Sequence, residues 1–255
     1  MDNGFAGAPS LPESPATPPV AVCRRLTRLI GLVTALVLFS IWLPAGARAA
    51  LLVALRAQAA LIGMLLVLAL LALSLVWSAG QRLDTRVFLL FNLRGYHRAW
   101  LDRVMWLVTQ IGGIGAALFS AWLFFVKNDR RLAVEIILGT ITLWLAVETI
   151  KALTDRTRPF LALEGTRVIG WRERGRSFPS GHTAQTFFLV TVISDRFQLG
   201  VARSVALYGC AVLVGVTRIY VGAHYPRDVV GGALLGSVWA ALTALVDPYW
   251  FGLRF

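Results

Sequence analysis

Apolar stretches free of charged side chains alternate along this chain with short polar segments rich in arginine. The charge-free stretches are 29–47, 57–81, 104–126, 136–147, 177–194, 204–217 and 229–246. A helix crossing the hydrocarbon core of a bilayer needs about 20 apolar residues. The second and third stretches reach that length outright. The others reach it with flanking residues, whose charges can snorkel or face the protein interior. The stretch 177–194 opens on Ser-Phe-Pro-Ser-Gly, so its helix is predicted to start late, near 182. The pattern predicts an all-α fold, a polytopic membrane helical bundle with six core transmembrane helices and an extra N-terminal one. The division follows: a Pro-rich disordered tail over 1–24, the extra transmembrane helix over 25–48, and one transmembrane domain over 49–250. No internal repeat is visible.

Composition supports the membrane reading. The chain has 255 residues, 57% hydrophobic and 15% charged, with a mean hydropathy of +0.70. A soluble domain carries about 25% charged residues, so a soluble globular protein is a poor fit. The net charge of +12 comes almost wholly from arginine, because Lys127 and Lys151 are the only lysines. A high pI usually suggests nucleic acid, but the apolar content puts a membrane first and no nucleic-acid partner is expected. Cys23 and Cys210 form no disulfide framework and no zinc pattern; Cys210, inside an apolar run, reads as a small core residue. Arg24, Arg25 and Arg28, the apolar run after them and Ala47-Arg48-Ala49 resemble a signal peptide with a small-residue cleavage site. The long leading region favours an uncleaved helix. Gly232 with Gly236, and Gly112 with Ala116, are small-xxx-small pairs that allow close helix packing. Trp42, Trp77, Trp100 and Trp250 near span ends fit an interfacial belt. Asp84, Asn92 and Asp102 fall in a predicted polar loop, 82–103.

Polar residues are costly in a membrane protein, so their clustering carries information. Three clusters stand out. In the first, Lys151 ends an apolar helix and Arg158 follows seven residues on. Pro159 disfavours helical geometry at Arg158, so its side chain can turn back toward Lys151, and two converging cations suit a phosphate. In the second, Pro179-Ser180-Gly181-His182 opens a helix whose N-terminal N–H groups and dipole favour an anion. Ser180 can cap the helix, Gly181 permits close backbone approach, and His182 sits in the first turn. In the third, Arg218 ends a span, His224 lies in a short turn and Pro226 starts the next helix. Asp228, four residues after His224, can accept from its Nδ1–H and leave Nε2 as a nucleophile. Helices alternate in direction, so all three clusters are expected on one membrane face, with His97 in another loop there.

These segments resemble the type 2 phosphatidic acid phosphatase superfamily, which also includes vanadium haloperoxidases. The family's first motif is Lys, six residues, then Arg-Pro, matched by Lys151, Arg158 and Pro159. The second is Pro-Ser-Gly-His, matched by Pro179 to His182. The third is usually Ser-Arg, five residues, His, three residues, Asp; here it reads Thr217, Arg218, His224 and Asp228, with threonine keeping the hydroxyl. The resemblance implies that His224 attacks phosphorus and forms a phosphohistidine, that Asp228 orients it, and that His182 protonates the leaving group. It implies that Lys151, Arg158, Ser180, the Gly181 N–H and Arg218 hold the phosphoryl oxygens. Fixed cations and a helix terminus can stabilise such a transition state without a metal, and neither a metal site nor a cofactor is expected.

A site at a membrane face suggests a lipid phosphate or diphosphate with its tail in the bilayer. Candidates are phosphatidic acid, phosphatidylglycerol phosphate, a polyprenyl diphosphate or a lipid A phosphate. Arg156, Arg172, Arg174 and Arg176 read either as diphosphate ligands or, preferred here, as solvated surface charge. A lipid phosphotransferase would use the same intermediate, and a non-catalytic transporter is the reading from another class. The resemblance implies an extracytoplasmic site in the inner membrane. The positive-inside rule points the other way, because segments 82–103 and 156–176 carry eleven arginines against five basic residues in 127–131 and 196–203.

Overall fold

The computed structural model describes residues 30–251 apart from 32, 33, 36, 58, 76, 77 and 94–97. The Pro-rich tail, Cys23, the arginines before the first apolar run, Trp77 and His97 lie outside the described residues. From residue 45 the described elements are α1 (Ala45–Ala57), α2 (Ala59–Ser74), α3 (Ser78–Asn92), α4 (Ala99–Thr109), a 3-10 turn (Gln110–Gly112), α5 (Ile114–Val126), α6 (Arg130–Thr154), the single-turn α7 (Pro159–Ala162), α8 (Gly181–Arg196), α9 (Val201–Tyr220) and α10 (Pro226–Phe251). Among the described residues every regular element is helical.

Three stretches are long and apolar enough to cross a membrane by themselves: α6 with α7, α9, and α10 as far as Val246. Two bent pairs pass the same test together, α2 with α3, and α4 with α5, the latter bent by 57°. Leu70, Trp122, Ile141, Val205 and Val212 are all exposed on these helices. So broad an apolar surface belongs in lipid rather than water, and the protein is an integral membrane protein.

Local sequence sets the helix ends. The Asp129 side chain accepts from the Leu132 N–H at 3.1 Å and caps α6, and α6 ends where Asp155 turns left-handed at φ 52°. Arg158 is extended, at φ −70° and ψ 152°, as its following proline requires, and Pro159 then occupies the first position of α7. The short α8 is the central helix. Its Ala184, Phe188, Leu189 and Val192 pack with Leu132, Ile136, Leu143 and Val147 of α6, Ala117 and Ala121 of α5, and Leu235 and Ala240 of α10. Gly232 and Gly236 let α10 lie directly on α8: an added Cβ would stand 2.5 Å from the Ser180 carbonyl oxygen and 2.1 Å from that of Ala184.

Two expectations are corrected. Residues 82–103 are not one loop: Asp84 and Asn92 lie on α3, and Asp102 is in the first turn of α4. Asp84, Phe88 and Asn92 are buried at four-residue spacing while Arg82 and Arg86 are exposed, so the charges belong to an amphipathic helix. Cys210 is exposed rather than buried in the core, because α9 turns that face outward. Trp42 and Trp100 are exposed, as an interfacial position requires.

Candidate active site

All three clusters meet at one end of the bundle, around a single carboxylate. Glu173 lies in the segment that joins α7 to α8. Its Oε2 stands 3.0 Å from Arg158 Nη1, and its Oε1 pairs with Arg218 Nη2. The same two oxygens lie 3.8 Å from His224 Nε2 and 3.7 Å from His182 Nδ1 respectively. Two guanidiniums and two imidazoles therefore surround one anionic group.

Each side chain is held there by a distinct element. Arg158 is almost wholly buried (1% exposed). It donates to the Ala223 carbonyl at 3.1 Å and to that of Gly175 at 3.3 Å, and its Nη1 stands 3.2 Å from His224 Nε2. Arg218, in the last turn of α9, donates from Nη1 to Thr109 Oγ1 at 2.8 Å. Lys151 comes from the last turn of α6, donates to Glu148 Oε1 at 2.8 Å, and lines the same cavity as Arg158, Gly181 and His182. That cavity, about 280 Å³, runs down between α6 and α8 past Leu143, Trp144 and Val147. A second cavity of about 340 Å³, with Trp106, Phe160 and Trp171 in its wall, meets the first at Gly113, Ile114, Glu173 and His182.

Ser180 occupies the N-cap of α8, but its side chain makes no cap bond. Its Oγ accepts from Thr183 Oγ1 at 3.0 Å, which leaves the serine's own proton free. Gly181 sits at the first position of α8, where an added Cβ would meet only Val147 Cγ1 at 3.8 Å. The protein's packing therefore does not demand glycine there, whereas a ligand approaching the backbone would.

His224 is buried with Nδ1 3.6 Å from Asp228 Oδ2. Asp228 is fully buried and well supplied with donors. Arg156 Nη1 donates to it at 2.6 Å, the Tyr225 N–H at 2.8 Å, and the Ser177 hydroxyl over a shorter contact. Burial, then Arg158 and Arg218, push the His224 pKa well below 6.5, because a charged imidazole would lose solvation and face two cations. The nucleophilic form is therefore the resting one.

Three further residues of this site were either passed over in the sequence or read there in another role. Glu173 is one, and a lone carboxylate between Arg172 and Arg174 was its available signal. Asp84 accepts from Arg227 Nε at 2.6 Å and, over a shorter contact, from Arg156 Nη2. Arg156 is a correction: it is buried, not solvated surface charge, and its guanidinium lies 4.4 Å over the Tyr225 ring. Arg172 and Arg174 are exposed, and Arg176 pairs with Asp155. Asn92 donates to the carbonyls of Arg167 and Tyr220, each at 2.9 Å, while Asp102 accepts from Arg167 at 2.7 Å and Tyr220 at 2.6 Å. These two order the segment before the site and do not enter it.

This helical architecture and this arrangement of residues are those of a membrane phosphatase family. The chain belongs to the PAP2 superfamily, whose family model matches residues 131–251, a span that contains every residue from Lys151 to Asp228. It is 28% identical over 165 residues to an undecaprenyl-diphosphatase of Sulfolobus acidocaldarius, covering 62% of this chain and 77% of that one. It is 30% identical over 155 residues to phosphatidylglycerophosphatase B of Bacillus subtilis, covering 54% and 70%. The fold matches the crystal structure of a transmembrane PAP2-type phosphatidylglycerolphosphate phosphatase from Bacillus subtilis. That match has a TM-score of 0.62 and 23% identity, over 72% of this chain and 94% of that one.

Proposed function

We propose that this protein is a membrane enzyme that hydrolyses a lipid phosphate or lipid diphosphate through a phosphohistidine intermediate. The observation that carries the reading is the pair of imidazoles facing a common anion from two directions, His224 Nε2 at 3.8 Å and His182 Nδ1 at 3.7 Å. One is positioned as nucleophile and the other as proton donor. The relatives' activities on undecaprenyl diphosphate and phosphatidylglycerophosphate support a lipid substrate.

In the first step the His224 Nε2 lone pair bonds to phosphorus as the bond to the leaving oxygen breaks. His182 gives that oxygen a proton. Asp228 Oδ2, 3.6 Å from His224 Nδ1, closes on its N–H as positive charge develops on the ring and steadies that charge. Arg158, Arg218, Lys151, the Gly181 N–H and the Ser180 hydroxyl bind the equatorial oxygens, which carry the growing charge. In the second step water attacks phosphorus, His182 takes its proton, and the P–N bond breaks to release phosphate. All the positive charge comes from side chains and a helix terminus, so the reaction needs neither a metal nor a cofactor. Residues 49–250 carry the catalytic membrane domain. The substrate's tail lies in the bilayer beside the cavity between α6 and α8. The site faces the extracytoplasmic side of the inner membrane.

The test is phosphate release from a panel of mono- and diphosphorylated lipids by purified protein in EDTA. Turnover is expected, and His224→Ala should abolish it together with any trapped phosphoprotein. Strict dependence on Mg²⁺, or full activity in His224→Ala, overturns the mechanism. Phosphate release only when an acceptor alcohol is supplied would reassign the protein as a phosphotransferase.

A further inference from the structure

The residues that should hold a phosphoryl group are already holding a carboxylate. The two oxygens of Glu173 reach Arg158 and Arg218 directly and lie within 4 Å of both catalytic histidines. A phosphate cannot occupy that position while Glu173 does. The carboxylate is delivered by a loop flanked by two glycines. Glu173 lies between Gly170 and Gly175, both at positive φ, 82° and 90°, a region glycine enters at little cost. Trp171, Arg172, Arg174 and Gly175 are exposed, and the segment is held by Gly170 and Trp171 against Trp106, by the Arg158 bond to the Gly175 carbonyl, and by Glu173 itself.

From this geometry, and resting on the hydrolase reading above, we infer that Glu173 is an internal substrate mimic: its carboxylate fills the phosphoryl pocket of the empty enzyme and sets the affinity an incoming phosphate must exceed.

The consequence is a threshold for occupancy. A singly charged carboxylate keeps the buried guanidiniums of Arg158 and Arg218 paired, avoiding the cost of leaving them alone. It competes with every anion that enters. A lipid phosphate brings additional binding from its tail and displaces it, whereas inorganic phosphate has only its charge. The same competition helps to expel product phosphate after the second step. If the pocket is vacant in about a tenth of the molecules, apparent phosphate affinity is weakened about tenfold.

The experiment measures binding of inorganic phosphate, and inhibition by orthovanadate, with the detergent-purified full chain and two variants, Glu173→Gln and Glu173→Asp. The glutamine keeps the shape but loses the charge. The aspartate keeps the charge but withdraws it by one methylene. Both variants are expected to bind phosphate and vanadate more tightly, Glu173→Gln by about tenfold, and a lipid phosphate substrate should gain by the same factor. Melting temperature checks folding, and if the glutamine variant does not fold the aspartate variant carries the test. Unchanged or weaker phosphate binding in the folded variants overturns the inference. So does a large fall in kcat with phosphate affinity unaltered, which would make Glu173 a positioning residue for His182. Absence of turnover on every lipid by the unmodified protein would instead overturn the hydrolase reading, and phosphate binding would still decide this one.

Discussion

Arg156 and Asp228 are 72 positions apart, yet Arg156 Nη1 donates to Asp228 Oδ1 at 2.6 Å in a buried pair. Arg156 Nη2 also pairs with Asp84 on α3, so one guanidinium ties the nucleophile's carboxylate to a helix remote in sequence. Removing one partner of a buried ion pair costs about 3–5 kcal/mol, because the other charge is left uncompensated.

Arg156→Ala should therefore lower the melting temperature markedly and reduce kcat as well, since Asp228 would swing from His224. Arg156→Lys should recover part of the stability but not the two-carboxylate bridge, because an ammonium lacks the planar fork. The decisive measurement is a double-mutant cycle with Asp84→Asn. Additive losses in melting stability would show that Arg156 does not couple the two carboxylates.

His182 and His224 should separate by leaving group. A proton donor matters in proportion to the basicity of the departing oxygen. His182→Ala is expected to lose about 10²–10⁴-fold with an alkyl lipid phosphate. It should lose far less with an aryl phosphate, whose phenolate leaves unassisted. His224→Ala should be inactive on both. Equal losses for His182→Ala on the two substrates would remove its role as the acid.

The local parts of this site were legible in the sequence because they are written in consecutive residues. Pro159 and Pro226 fix the geometry around Arg158 and His224, and the Ser180-Gly181 turn placed a helix start within a residue of where α8 begins. What was not legible depends on packing across the bundle. Arg156 looks like any juxtamembrane arginine until Asp84 and Asp228 are brought to it. Asp84 itself was misplaced because the charges around it suggested a loop, although the spacing of Asp84, Phe88 and Asn92 was a helical stripe available to be read. Glu173 was hidden by three neighbouring arginines, Arg172, Arg174 and Arg176, whose positive charge masks the one carboxylate among them.

Acid should destabilise the protein in two stages. Burial, then Arg158 and Arg218, hold the His224 pKa well below its ordinary 6.5. The unfolded chain therefore binds a proton at His224 that the folded protein does not, and stability falls as pH drops below about 6.5. Burial of the Glu173 carboxyl works to raise its pKa, but Arg218, with Arg158 and the histidines, outweighs it and leaves the pKa below 4.5. The stability this carboxylate contributes is full above 4.5 and is lost as pH falls through the lower folded value. Melting temperature followed from pH 8 to 3 should show both declines. His182, whose pKa burial and Arg218 lower to about 4, adds to the upper decline, so His224→Ala should shrink that stage and leave the lower, and a profile unchanged in that variant would detach His224 from the acid response.

The contact between α8 and α10 should be as necessary to catalysis as any side chain in the pocket. An added Cβ at Gly236 would stand 2.1 Å from the Ala184 carbonyl oxygen, and one at Gly232 2.5 Å from that of Ser180. Both obstacles are backbone, so the helices must separate rather than a side chain turn aside. Asp228 lies on α10, and Ser180, Gly181 and His182 lie at the start of α8. The Ser180 N–H itself donates to the Asp228 carbonyl at 2.9 Å. Separation would pull the anion-binding turn away from the nucleophile's partner, and displacements of about 1 Å cost on the order of 10²-fold in rate. Gly236→Ala and Gly232→Ala should each lower kcat and melting temperature together. Gly209→Ala, on α9 with nothing within 4 Å of the added methyl, should leave activity intact and stabilise the helix by about 0.5–1 kcal/mol. Wild-type activity in Gly236→Ala would mean that the α8–α10 contact does not set the geometry of the site.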